Sequence, residues 1–109
     1  MTPNSRTADV IFTEQDRITA EQLELAELAR TGVPGQARIL DVRETGRCVG
    51  DDPVLEVRLS VRVGGGVPYP AIFWGPVARP AVARAQDGGA FAARIDPQRP
   101  DRVYVDWLG

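Results

Sequence analysis

Residues 54–63 read Val-Leu-Glu-Val-Arg-Leu-Ser-Val-Arg-Val, an alternation of apolar and polar positions with almost no break. Successive side chains of a strand point to opposite faces. The pattern therefore predicts one strand with Leu55, Val57, Leu59, Val61 and Val63 buried and Glu56, Arg58, Ser60 and Arg62 wet. Upstream the period is helical. Thr19-Ala20-Glu21-Gln22 has the form of a capping box, and a helix is expected from there to Thr31, stopped by Gly32 and Pro34. Leu25, Leu28 and Ala29 form its apolar stripe, Leu23 and Ala26 border it, and Glu21, Glu24 and Glu27 lie mostly opposite.

From Gly35 the period changes to two. A first strand is expected over 36–44, with Leu40 and Val42 sharing one face and Ala37 and Ile39 the other. A polar loop containing Cys48 follows over 45–53. Gly64-Gly65-Gly66 makes a turn, and a third strand is expected over 67–74, where Pro68 and Pro70 mark a sheet edge or a bulge. Gly75-Pro76 ends it. Residues 80–86 form a short helix closed by Asp87-Gly88-Gly89. A fourth strand over 90–96 turns Phe91, Ala93 and Ile95 to one side. The turn-forming Asp96-Pro97-Gln98-Arg99-Pro100-Asp101 leads to a fifth strand, with Val103, Val105 and Trp107 facing one way and Tyr104 and Asp106 the other.

The expected fold class is mainly β: a small five-stranded OB-like barrel, with one amphipathic N-terminal helix and a short helix between strands three and four. Closing such short strands into a barrel removes their raw edges. The chain divides into a flexible tail (1–18), the helix and linker (19–34) and the β-domain (35–109). At 109 residues it has the size of one domain.

From Gly35 on, the motifs are Gly35, Ala37, Ile39-Leu40, Thr45-Gly46, Pro53, Pro68-Tyr69, Asp96-Pro97 and Pro100. In these the chain resembles a family of small β-barrel domains found in bacteria and common in actinobacteria. The shared residues belong to turns and strands, so the resemblance implies a fold and supplies no reaction, cofactor or catalytic residue.

Composition narrows the chemistry. All 13 basic residues are Arg, and there is neither Lys nor His. The commonest general base and metal ligand is thus missing, as are Schiff-base and P-loop lysines. Arg codons of a GC-rich gene account for the Arg usage better than a demand for bidentate recognition does. Cys48 is the only cysteine and has no His to activate it, so it reads as a bystander thiol. A net charge of −2 argues against tight non-specific nucleic-acid binding. Residues 1–31 hold three Arg against six acids, so the acidic character belongs to the N-terminal segment. Asp51, Asp52, Asp96, Asp101 and Asp106 lack EF-hand spacing and fit turn hydrogen bonding better than a metal site. No cofactor or metal is expected. With no signal-like or membrane-spanning segment, the expected location is the cytoplasm.

The candidate recognition residues are Arg58, Arg62, Ile72 and Trp74, on the outer face of strands two and three. The alternative is that the charges on that face pair with strand one and Trp74 packs under the helix. Two functions follow. One is a non-enzymatic accessory or protein-interaction module, engaging a partner or a second copy through the acidic helix and an exposed Trp74. The other is a weak single-stranded nucleic-acid or polyanion binder using Arg58, Arg62 and Trp74. An enzyme is not expected.

Overall fold

The structure, a computed structural model, describes residues 14–109. Helix α1 (Glu14–Thr31) leads directly into β1 (Val33–Val49), followed by β2 (Asp52–Arg62) and β3 (Tyr69–Pro76). A 3-10 turn (Arg79–Ala81) and a short helix α2 (Val82–Gln86) connect to β4 (Ala90–Ile95) and β5 (Val103–Val105). The strands form one antiparallel sheet in the order β3-β2-β1-β4-β5. The mainly β architecture with two helices is as the residue pattern predicts.

The sheet is not closed. β3 and β5 are both edge strands and run in the same direction without a ladder between them. β5 has only three residues, and Pro70 in β3 carries no N–H to donate. Side chains bridge the seam instead: the Tyr69 hydroxyl donates to the Pro100 carbonyl at 2.9 Å. Trp107, just beyond β5, packs edge-on against Phe73 at 5.3 Å and Phe91 at 4.8 Å between ring centroids.

The inner face matches the alternation closely. Leu55, Val57, Leu59 and Val61 of β2 are fully buried, joined by Phe73, Phe91, Ala93, Ile95, Val103 and Val105. Val63, expected in the same row, lies past the end of β2 and is exposed.

β3 starts at Tyr69 and runs through Gly75 to Pro76, past the break expected to end it, because Leu55 and Val54 pair with those two residues. Three further features differ from expectation. First, β1 runs on to Val49, so the polar stretch expected as a loop is strand, and Cys48 is an exposed strand residue. The turn itself is only Gly50-Asp51, with Gly50 at a φ of 59° that a side chain would strain. Second, the register shifts after Ile39, where Leu40 is extra to the pairing. The bulge turns both Leu40 and Asp41 outward and brings Val42 back onto the core side with Ala37 and Ile39. Leu40 and Val42 therefore do not share a face. Third, α1 begins by Glu14, so Thr19 lies inside the helix and is not its cap. Residues 14–18 are helical and not tail, and Ile18 is buried. Residues 1–13 of the expected tail lie outside the described residues.

α1 packs on β3, β4 and β5, and so covers both edges of the open sheet. Its buried positions are Ile18, Leu25 and Leu28, spaced seven and ten residues apart on one helix face. Arg102, before β5, ties the helix down through Glu21 at 3.2 Å and Glu24 at 2.6 Å. The helix ends against the sheet at Gly32, where a Cβ would lie 2.8 Å from the Leu28 carbonyl oxygen and 2.9 Å from the Arg94 Cβ. Of the two surfaces that the apolar stripe could meet, a sheet or a partner, it is the protein's own sheet that Leu25 and Leu28 pack against.

Ile18→Ala should lower the unfolding free energy by about 2–4 kcal/mol, as buried large-to-small changes do. Leu23→Ala, at a 69% exposed position of the same helix, should shift it by less than about 0.5 kcal/mol. Urea denaturation of both variants checks this, and equal losses would contradict the packing of α1.

Candidate functional site

Because β2 is central to the hairpin pair, its even-numbered residues Glu56, Arg58, Ser60 and Arg62 head four rows across the outer face. Glu56 lies between Arg43 and Trp74, Arg58 between Asp41 and Ile72, and Ser60 between Arg38 and Pro70. Arg62 lies opposite Gln36. The rows differ in what fills them. Arg43 and Glu56 form an ion pair at 3.2 Å, an exposed contact of little energetic weight.

Trp74 is the one candidate that the fold takes out of reach. Only 9% exposed, it packs with Ile18 and Val54 in a small second core, and the Arg17 guanidinium sits 3.7 Å from its ring centroid. The expectation of an exposed Trp74 is corrected: the early start of α1 carries Ile18 and Arg17 over the indole. The other three candidates stay accessible. Arg58 and Arg62 are exposed, and Ile72 is 57% exposed. Arg58 and Ile72 line one hollow of about 390 Å³ together with Leu40, Pro70 and Asp101. Leu40 itself is 54% exposed. Arg62 lies in a neighbouring hollow with Arg38, Ser60 and Gln36.

Ser60 stands on this face as the alternation has it, and Arg38 is the strand-one charge expected across from it, whereas Leu40 and Gln36 were not expected as parts of the surface. Leu40 escaped because the bulge that separates its face from that of Val42 leaves no trace in a period-two pattern.

A larger cleft of about 480 Å³ lies between α1, β3 and the C-terminal segment, lined by Leu25, Phe73, Asp52, Tyr104, Asp106 and Trp107 among others. Its chemistry is sparse. The Asp52 carboxylate accepts the backbone N–H of Arg79 at 2.9 Å, and the Trp107 Nε1–H is buried without a partner among the described residues. Burial, then the nearby Asp106 charge, pushes the Tyr104 hydroxyl above its ordinary value. No thiol or imidazole lines the cleft. Asp96 serves the turn after β4, its carboxylate accepting the Gln98 N–H at 2.9 Å. Among the described residues no group of three or more Cys, Asp or Glu is placed to hold a metal ion. No helix among them is long and apolar enough to cross a membrane. The chain matches no family model, no curated protein and no solved structure.

At the rim of the surface, burial and then the Asp101 charge raise the Tyr69 hydroxyl above its ordinary pKa of 10.0. A folded-state pKa above the unfolded one means that the stabilisation is complete below about pH 10 and fades as the pH rises through the folded value. Tyr69→Phe should cost about 1 kcal/mol at neutral pH through the lost bond to Pro100. It should also show a shallower loss of stability than the parent above about pH 10. Chemical denaturation across that range checks both, and parallel alkaline declines would contradict the role of Tyr69.

Proposed function

We propose that this chain is a non-enzymatic interaction module, an OB-type barrel left open along the β3–β5 seam, that engages a protein partner through the outer face of β1, β2 and β3. The strand order and the helix between strands three and four support the OB-type reading, since that fold uses the outer face of strands two and three for recognition. The observation that carries the proposal is the Leu40–Arg58–Ile72 hollow, in which two large apolar side chains stand in solvent on either side of a guanidinium that is unpaired among the described residues. Partner surfaces favour this combination, an arginine beside apolar anchors. The apolar stripe of α1 is already used within the fold, which moves the contact surface from the helix to the sheet.

A single-stranded nucleic-acid binder is the weaker reading. Arg58 and Arg62 suit it, but base stacking needs an accessible aromatic, and Trp74 is covered.

Selection from a random peptide library should enrich sequences that bind the parent protein and lose about tenfold or more in affinity for Ile72→Glu, as when a charge enters a binding hollow. Failure to enrich any peptide, or enriched peptides that ignore Ile72→Glu, would overturn the proposal. A single-stranded oligonucleotide should show no salt-sensitive binding at low ionic strength; a steep salt dependence would favour the second reading.

A further inference from the structure

Twelve of the 13 Arg fall within the described residues. Seven have engaged side chains. Arg17 stacks on Trp74, Arg30 pairs with Glu27, Arg43 with Glu56, and Arg102 with Glu21 and Glu24. Arg79, Arg84 and Arg94 donate to the backbone carbonyls of Asp51, Ala90 and Gly32. Five guanidiniums have no partner among the described residues: Arg38, Arg47, Arg58, Arg62 and Arg99. Three of these, Arg38, Arg58 and Arg62, share the outer face of β1 and β2 around one hydroxyl, that of Ser60. Asp41 stands opposite Arg58 in register and makes no ion pair with it.

Arg38 lies directly across from Ser60, and Arg62 lies two residues along β2, about 7 Å away at strand spacing. Together with Gln36 they line a hollow of about 160 Å³ whose walls hold no acidic residue. The neighbouring hollow has Asp101 in its wall, and the one between α1 and the β4–β5 turn holds Glu24, Glu27 and Asp96. The donor-only chemistry of two guanidinium forks, with the Ser60 hydroxyl and the Gln36 amide between them, suits a compact oxyanion. The volume lies below the ~300 Å³ at which whole-ligand pockets begin, so the site fits a headgroup and not a nucleoside.

We propose that Arg38, Ser60 and Arg62, with Gln36, form a binding site for a phosphate monoester on the outer face of the sheet. The inference rests on the reading of that face as the recognition surface, and it names the chemistry of one half of it. A monoester is preferred over a diester chain for two reasons. Two forks lining one small hollow match a dianion, whereas a nucleic-acid backbone spreads single charges along a line and calls for stacking aromatics beside them. Arg58 lines the neighbouring hollow, two residues along β2 from Ser60. Leu40 and Ile72 offer the adjoining apolar seat, so a phosphorylated residue flanked by an apolar one would fill both.

The test is a titration of the full chain with inorganic phosphate and with O-phosphoserine, followed by the amide resonances of Arg38, Ser60 and Arg62. Saturable shifts confined to these strands are expected. Arg38→Gln and Arg62→Gln should each weaken binding about tenfold, and Arg62→Lys, which keeps the charge but loses the fork, should weaken it by less. Arg99→Gln, at an exposed guanidinium on the far turn, should leave it unchanged. The thermal midpoint of each variant confirms its fold. Non-saturable shifts, shifts indifferent to Arg38→Gln and Arg62→Gln, or an equal loss with Arg99→Gln would overturn the site. An oligonucleotide that binds more tightly than phosphoserine would overturn the monoester assignment. Enrichment of unphosphorylated peptides at Ile72 with no phosphate binding would sink this inference alone. Phosphate binding with no peptide enrichment would sink the interaction module and leave the anion site standing.

Discussion

An antiparallel five-stranded sheet whose outermost strands approach each other without pairing leaves a strip of apolar surface facing water, and everything else in this protein is arranged around covering that strip. α1 lies over both edge strands, while the Trp107 indole wedges between Phe73 of β3 and Phe91 of β4. Strand edges left raw invite association with other chains. Here the edges are blunted by the three-residue length of β5, by Pro70 in β3, and by the helix laid across them. The indole N–H of Trp107, buried without a partner among the described residues, is a local penalty of the order of 1–3 kcal/mol. Set against it are two edge-on ring contacts of about 0.5–1.5 kcal/mol each beyond the area they bury.

The same arrangement decides which face is left for recognition. With the inner face closed by α1, the outer face of β1, β2 and β3 is the broad surface that keeps both apolar and charged side chains in solvent. Its two ends differ. Near Trp74 the first turns of α1 fold over it, and the Arg43–Glu56 pair neutralises the next row. Toward Arg62 it is open, and the guanidiniums there are unengaged among the described residues. A continuous alternation in β2 thus yields a surface that is structural at one end and available at the other.

Much of the fold was legible because period-two alternation reports which face of a strand is buried. Leu55, Val57, Leu59 and Val61, then Phe91, Ala93 and Ile95, and finally Val103 and Val105 all sit where the pattern puts them, and Trp107 is buried as expected although it lies past the end of β5. What was not legible depended on partners far away in sequence. The Leu40 bulge is defined only by the pairing of β1 with β2. The strand character of Arg47, Cys48 and Val49 comes from their pairing with Val54, Pro53 and Asp52 and not from local sequence, with Thr45 and Gly46 held in a second register shift between them and Glu44. The true start of α1 was masked by a capping-box motif at Thr19 that the longer helix overrides. That override removed Trp74 from the candidate surface. It left Arg58, Arg62 and Ile72 in place, and the pairing of β1 with β2 sets Arg38 and Leu40 on the same face.

The central claim is that α1 belongs to the cooperative core and does not ride on a sheet that stands without it. Native-state hydrogen exchange measures this most directly. The interior amides of α1 around Leu25 and Leu28 should exchange only through global unfolding, with the same free energy and denaturant dependence as those of Val57 and Leu59 in β2. If the helix amides exchanged through a separate opening several kcal/mol lower, with β2 still protected, the seam would not need its helix and the account would fail.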